Sequence, residues 1–86
     1  MDRAEIAARV TELLCRLLPD AVNGRRLDES TGLLAQGIGL DSVEVLQLVG
    51  AIEEAFGLTV DDESLEAASF ETLGAVVTFV QAELAR

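Results

Sequence analysis

The residue of this chain that is best placed to take part in a chemical reaction is a serine. Ser42 lies between Asp41 and Val43, in the run Gly39-Leu40-Asp41-Ser42-Val43. A serine hydroxyl becomes a nucleophile only beside a base that accepts its proton, usually a histidine or a lysine. The chain has no histidine, its six basic residues are all arginine, and we expect no cleft in so small a protein. We therefore predict that the protein is not an enzyme.

Two other roles for Ser42 follow from its place in the sequence. Serine is common near helix starts, where its side chain caps free backbone N–H groups, but Asp41 already provides a good cap. The second role is that of a substrate, modified by another enzyme. A phosphate at a helix N-terminus is favoured by the helix dipole and by the free N–H groups of the first turn. We predict that Ser42 accepts such a group.

The helix that positions Ser42 is predicted over residues 41–56. Asp41 and Glu44 have the spacing of a capping box, and Gly57 is a typical helix terminator. Apolar residues at three- and four-residue intervals predict one core face. That face consists of Val45, Leu48, Val49, Ile52 and Phe56. The opposite face carries exposed apolar and acidic residues, so we expect that replacing Glu44, Glu53 or Glu54 would barely disturb folding.

The rest of the chain predicts three further helical segments. The first spans residues 2–18, with Asp2 as its cap and Pro19 as its stop. Residues 19–40 form a long, ordered loop, held to the core by its leucines and Ile38. A short helical piece runs from residue 61 or 62 to 67, and Ser69 caps a last helix to about residue 84, with Leu73, Val76, Val77, Val80 and Leu84 on one face. The fold class is all-α: a four-helix bundle with a long first loop and a short third helix, in one domain spanning residues 1–86.

Charge and composition narrow the range of partners. The net charge is −10, and residues 27–86 hold twelve acidic residues and one basic one. Nucleic acid is an unsuitable partner because phosphate contacts need clustered positive charge, whereas a protein with a basic surface is suitable. No run approaches the roughly 18 apolar residues of a membrane span. The single cysteine, Cys15, excludes an internal disulfide; we expect it to be partly exposed and without a role, in a cytoplasmic monomer.

The run around Ser42 resembles the G-x-D-S-L/I/V signature of acyl carrier proteins. The residues that follow, Glu44…Leu48…Ile52-Glu53-Glu54…Phe56-Gly57, are similar to the second helix of that family. Thr31-Gly32-Leu33-Leu34 resembles the end of its first loop, and Asp61-Asp62-Glu63 resembles the start of its third helix. The resemblance covers nearly the whole chain.

This resemblance implies a carrier protein that one enzyme modifies and that other enzymes then recognise. In the family, a phosphopantetheinyl transferase moves 4′-phosphopantetheine from coenzyme A onto the serine that corresponds to Ser42. The thiol at the end of the arm holds acyl groups as thioesters, which are presented to enzymes of fatty-acid or polyketide-type biosynthesis. Gly37 and Gly39 would leave room around the arm. The residues implied in docking to basic partner surfaces are Leu40, Asp41, Val43, Glu44, Leu46, Glu53 and Glu54.

Some positions depart from the family pattern and leave alternatives open. Gln47 replaces a frequent glutamate and Gly50 replaces a frequent large apolar residue, which favours partners from specialised metabolism over the general fatty-acid enzymes. An aminoacyl or peptidyl carrier and an unmodified acidic adaptor remain as alternative functions. We predict no metal site. A weak divalent-cation site at residues 61–63, completed by Glu53 or Glu54, is the alternative there.

Overall fold

The computed structural model describes residues 1–61, 63 and 65–86. Its α-helices are α1 (Arg3–Leu17), α2 (Pro19–Val22), α3 (Ser42–Phe56) and α4 (Leu73–Leu84), and a 3-10 helix covers Ala67–Phe70. The described residues contain no β-strand, only an isolated bridge between Gly32 and Thr72. The predicted all-α bundle, with a long loop before the second long helix and a short helix before the last, is confirmed.

The first helix begins as the sequence predicts, and proline has two roles at its end. The Asp2 carboxylate accepts the Glu5 N–H at 2.8 Å and caps α1. The helix ends before Pro19, because proline has no N–H to continue the backbone pattern. Pro19 nevertheless starts α2, since a first helical residue needs no N–H partner. The prediction of an unbroken loop from residue 19 is therefore wrong over the four residues of α2.

The core is built from aliphatic side chains on the three long helices. Ile6, Val10 and Leu14 on α1 are fully buried. On α3 the predicted face is confirmed, with Leu48, Val49 and Ile52 buried and Val45 and Phe56 partly buried against them. On α4 the buried residues are Leu73, Val76, Val77 and Val80. The predicted face of α4 is thus buried up to Val80, whereas Leu84, the last residue of the helix, is 38% exposed.

The last helix starts later than predicted. Thr72, not Ser69, is the cap of α4: its hydroxyl accepts the Ala75 N–H at 3.0 Å. Ser69 lies inside the 3-10 helix, which places the ring of Phe70 in the core against Phe79, with 5.7 Å between the ring centroids. The predicted short helix over residues 61–67 is tested only in part: Glu63 has 3-10 conformation, and the 3-10 helix Ala67–Phe70 begins where that prediction ends. Asp62 and Ser64, part of that prediction, lie outside the described residues.

The long loop between α2 and α3 is ordered, as predicted, because it is attached to the start of α4. Leu33 and Leu40 are buried, while Leu27, Leu34 and Ile38 pack against the core. Three backbone hydrogen bonds then join the loop to the region before and within the first turn of α4. They are Leu33 N–H to Glu71 O at 2.9 Å, Leu73 N–H to Thr31 O at 3.0 Å and Gly74 N–H to Glu29 O at 2.9 Å.

One arginine connects the first helix to both the loop and the last helix. The Arg3 guanidinium forms an ion pair with the Glu29 carboxylate at 2.6 Å. It also donates to the Gly74 carbonyl, the Thr78 hydroxyl and the Gln81 side-chain oxygen. The planar guanidinium has five N–H donors in a fixed arrangement and can hold several acceptors at once. These contacts fix the loop against α4.

The acidic surface leads to a prediction about salt. Within the described residues the ion pairs are Arg3–Glu29, Arg9–Glu5 and Arg86–Glu83, which leaves most of the sixteen acidic residues without a cationic partner. Salt screens repulsion between exposed charges. Raising NaCl from a few millimolar to about 0.15 M should raise the thermal midpoint by about 5 °C, the equivalent of roughly 1 kcal/mol in a domain of this size.

The control for this prediction is the same salt series at about pH 3, where most carboxylates are protonated. The gain in thermal midpoint should shrink there, because the repulsion that salt screens has been removed. A midpoint that falls or stays flat with salt at neutral pH would contradict the prediction.

Candidate functional site

Ser42 is the first residue of α3 and is exposed, as predicted. The Asp41 carboxylate accepts the Glu44 N–H at 2.8 Å, and the Glu44 carboxylate accepts the Asp41 N–H at 3.0 Å. This is the predicted capping box, and it leaves the Ser42 side chain with no capping task. Within the described part of the chain, the Ser42 hydroxyl makes no hydrogen bond. It is therefore available to another molecule.

Two glycines shape the loop that leads to Ser42, each for a different reason. A Cβ on Gly37 would overlap the carbonyl group of Gly32, because the two backbones are in direct contact. The prediction that Gly37 leaves room for an attached arm is therefore wrong; its missing side chain serves this contact. Gly39 has φ +80°, a left-handed conformation that favours glycine, and a Cβ there would meet open space. The following residue, Leu40, donates its N–H to the Leu33 carbonyl at 2.8 Å.

An open cavity of about 610 Å³ begins at Ser42. The expectation that so small a protein has no cleft is therefore wrong. The reason is tertiary: the loop before α3 and the segment before α4 border the cavity from outside α3. Its lining residues are Leu34, Ala35, Leu40, Asp41, Ser42, Val45, Leu46, Val49, Leu65, Glu66, Ala67 and Phe70. Most of these are apolar, and the polar groups are those of Asp41, Ser42 and Glu66.

Several of these lining residues were not singled out from the sequence. Leu65, Glu66 and Ala67 were assigned only to the predicted short helix, and Phe70 had no predicted function. Nothing in the local pattern of residues 65–70 marks them as part of a site. They contribute because the fold places the segment before α4 along the same cavity as the start of α3. No histidine or lysine lines this cavity. Ser42 therefore has no neutral base there that could accept its proton during catalysis.

The outer face of α3 is exposed, as predicted from its position opposite the core face. Val43 is 66% exposed and Leu46 is 60% exposed, the two highest values among the large apolar side chains that the structure describes. Gln47, Gly50 and Glu54 are also exposed. Isolated exposed apolar residues are common, but two neighbours on one helix face form a candidate contact surface.

The acidic residues on α3 differ in how much they contribute to the fold. Glu44 closes the capping box, and the Glu53 carboxylate accepts the N–H of Val60 at 2.8 Å, in a partly buried position. The expectation that both could be replaced with little effect on folding is therefore wrong. Among the described residues, the Glu54 side chain has no hydrogen bond or ion pair. Glu54 is the acidic residue of this face that remains available for a partner.

The contact between Glu53 and Val60 leads to a stability prediction. Glu53→Ala should lower the free energy of unfolding by about 1–2 kcal/mol, because the N–H of the buried Val60 loses its acceptor. Glu54→Ala is the matched control: it removes a carboxylate from the adjacent, exposed position and should change stability by no more than about 0.5 kcal/mol. Urea unfolding of both variants measures the difference, and equal losses would contradict the structural role of Glu53.

Other candidate features lie away from this site. Cys15 is exposed on α1. No cluster of three or more potential metal ligands occurs among the described residues. Asp62, part of the alternative divalent-cation site, is outside them, so that alternative stays untested. In the part of the chain that the structure describes, none of the helices has the length and apolar character needed to cross a bilayer.

Comparison with known proteins identifies the family. A family model described as "Phosphopantetheine attachment site" matches residues 8–80. The chain is 32% identical over 77 residues to an acyl carrier protein of Saccharopolyspora erythraea, with 90% of this chain and 76% of that protein covered. It is also 32% identical over 82 residues to an acyl carrier protein of Thermotoga maritima, with 95% of each protein covered.

Solved structures agree with the sequence relatives. The solution structure of a holo acyl carrier protein from Nitrosomonas europaea superposes with a TM-score of 0.78 at 34% identity, covering 94% of this chain and 96% of that one. A crystal structure of an acyl carrier protein from Thermotoga maritima superposes with a TM-score of 0.75 over 99% of this chain and 93% of that one; at 22% identity it supports the fold. The chain therefore belongs to the acyl carrier protein family, the non-catalytic carriers that bear phosphopantetheine.

Proposed function

We propose that Ser42 is the attachment residue and that a phosphopantetheinyl transferase loads it from coenzyme A. In this step the Ser42 oxygen forms a bond to phosphorus, the diphosphate bond of coenzyme A breaks, and the nucleotide portion leaves. The base that accepts the hydroxyl proton belongs to the transferase, since this chain has no histidine or lysine. The exposed hydroxyl, with capping left to Asp41, supports this role.

The surroundings of Ser42 fit the group that it would carry. The free N–H groups in the first turn of α3 favour a phosphate at this end of the helix. Gly39 adds no side chain beside the attachment point. When bound, the prosthetic group supplies a terminal thiol on which acyl groups are carried as thioesters. The remaining task of this protein is to position and present that cargo to partner enzymes.

The apolar cavity that begins at Ser42 is the observation that best supports an acyl cargo. Its walls include the buried side chains of Leu40, Val49 and Phe70. An alkyl chain that packs against them would be removed from water, which is favourable. A charged ammonium group, as on an aminoacyl cargo, would lose hydration along these walls. We therefore favour acyl intermediates of fatty-acid or polyketide-type biosynthesis over an aminoacyl or peptidyl cargo.

The partners that we propose are cytoplasmic enzymes with basic docking surfaces. The docking surface comprises apolar and acidic residues around the start and outer face of α3. Its members are Leu40, Asp41, Val43, Glu44, Leu46, Glu53 and Glu54. Leu40 is buried, and Glu44 and Glu53 also serve the fold, so Val43, Leu46 and Glu54 are the most accessible members. Gly50 and Gln47 favour partners from specialised metabolism, and the carrier is expected to act as a monomer.

The test is to incubate the protein with hexanoyl- or alanyl-coenzyme A and a broad-specificity transferase, followed by intact mass and thermal unfolding. Each reaction should add one acyl-4′-phosphopantetheine group, and the hexanoyl form should have the higher thermal midpoint. An equal or higher midpoint for the alanyl form would favour the aminoacyl alternative. A complete absence of mass gain would favour the unmodified acidic adaptor.

A further inference from the structure

Gly50 lies in the interior of α3 without a structural reason to be glycine. It is exposed, its φ is not positive, and a Cβ at this position would meet nothing within 4 Å. A glycine inside a helix costs about 1 kcal/mol relative to alanine. Gly37, by contrast, is required by its contact with Gly32. Glycine therefore weakens α3 at a position where the fold has room for a larger side chain.

Gly50 also occupies a special place relative to Ser42. Residues four apart in a helix form a ridge along its surface. Ser42, Leu46, Gly50 and Glu54 are successive members of one such ridge on α3, about 18 Å long at roughly 1.5 Å per residue. Leu46 is 60% exposed and Glu54 is exposed. The missing side chain therefore leaves a gap between an apolar group and a carboxylate, on the ridge that starts at Ser42.

The side chains on either side of the gap indicate which kind of group would fill it. Leu46 offers contact to an apolar stem, and Glu54 offers a carboxylate to a cationic head group. Arginine has a long apolar stem that packs on such surfaces, and its planar guanidinium pairs with a carboxylate through two parallel hydrogen bonds. Lysine carries a compact charge without that planar geometry. The net charge of −10 also favours a basic partner.

We propose that Gly50 is a specificity-determining gap on the docking surface: it admits an arginine side chain of the phosphopantetheinyl transferase, whose guanidinium pairs with Glu54. This inference rests on the proposed function, because the ridge begins at the residue that the transferase modifies. Glu54 is the suitable acceptor since the carboxylates of Glu44 and Glu53 already accept backbone N–H groups. A large side chain at position 50 would hold the arginine away from Glu54.

A double-mutant cycle tests this proposal, with the rate of Ser42 modification by a phosphopantetheinyl transferase and coenzyme A as the readout. Gly50→Leu should lower kcat/KM about 10-fold, and Glu54→Gln about 3-fold, since losses of charge pairing act mainly on association. The double variant should be no slower than Gly50→Leu, because the two positions bind one side chain and their effects are coupled. The thermal midpoint of Gly50→Leu should rise, which separates the slower reaction from any loss of folding.

The matched control is Ala55→Leu, which places the same leucine side chain at an exposed position of α3 away from the ridge and should keep the wild-type rate. Three results would overturn the proposal: a wild-type rate for Gly50→Leu, an equal loss for Ala55→Leu, or additive losses in the double variant. A wild-type protein that is never modified at Ser42 would refute the proposed function itself.

Discussion

Replacing Ser42 with alanine should abolish the gain of phosphopantetheine completely, while the protein stays folded. The variant removes the one oxygen to which the group would be attached. It should leave the helix intact, because Asp41 provides the cap and the Ser42 side chain is exposed. Intact mass after incubation with coenzyme A and a transferase measures the first effect. Circular dichroism measures the second, with a change in stability of no more than about 0.5 kcal/mol.

Other serines provide the control for this prediction. The Ser30 hydroxyl donates to the Asp28 carboxylate at 2.6 Å, and this hydrogen bond is the main reason why the pKa of Asp28 is lowered. Ser69 is partly buried within the 3-10 helix. Ser30→Ala and Ser69→Ala should therefore both be modified at the wild-type site. A mass gain in Ser42→Ala, or a peptide map that places the group on another serine, would refute the assignment of Ser42.

Gly37→Ala should be strongly destabilising, with an expected loss of about 3 kcal/mol. The added Cβ would overlap the Gly32 carbonyl, and both contact partners are backbone atoms that no rotamer change can move. Forcing extra atoms into a packed site typically costs about 1–3 kcal/mol, and more where the surroundings cannot yield. The loop would have to open, and the hydrogen bond from the Ile38 N–H to the Gly32 carbonyl at 3.0 Å would be strained.

Two nearby glycines are the controls for Gly37→Ala. Gly39→Ala should cost about 1–2 kcal/mol, since its φ of +80° strains any residue with a Cβ but no atom lies in the way. Gly50→Ala should stabilise α3 by about 1 kcal/mol. Chemical denaturation of the three variants measures this order. Equal effects for Gly37→Ala and Gly39→Ala would contradict the steric contact between Gly37 and Gly32.

Local sequence patterns determined the elements whose interactions are themselves local. Asp41 and Glu44 are three residues apart, so their capping box could be predicted without knowledge of the fold, and the structure confirms it. The same holds for the core face of α3, because the helical repeat fixes which side chains share a side. The exposed position of Ser42 follows from these two facts. The motif around Ser42 then identified the family, which the comparisons confirm.

The choice between competing local signals was decided by tertiary contacts. Ser69 and Thr72 are both suitable caps for the last helix, and residue type alone favoured the wrong one. Thr72 was selected because the 3-10 helix before it places Phe70 in the core against Phe79, which shifts the start of α4. Pro19 is similar: it stops one helix and starts another, and both uses are compatible with its missing N–H.

The cavity and the roles of individual side chains depended on the tertiary structure alone. Phe70 is far along the sequence from Ser42, and it borders the cavity only because the fold brings the segment before α4 beside the start of α3. Glu53 accepts the N–H of Val60, and Gly37 contacts Gly32, through turns of the backbone that no periodic pattern encodes. The sequence by itself determined the helices, the acidic surface and the exposed serine, since these depend on neighbouring residues. The cavity beside that serine was decided by the tertiary structure, because its walls come from segments that only folding brings together.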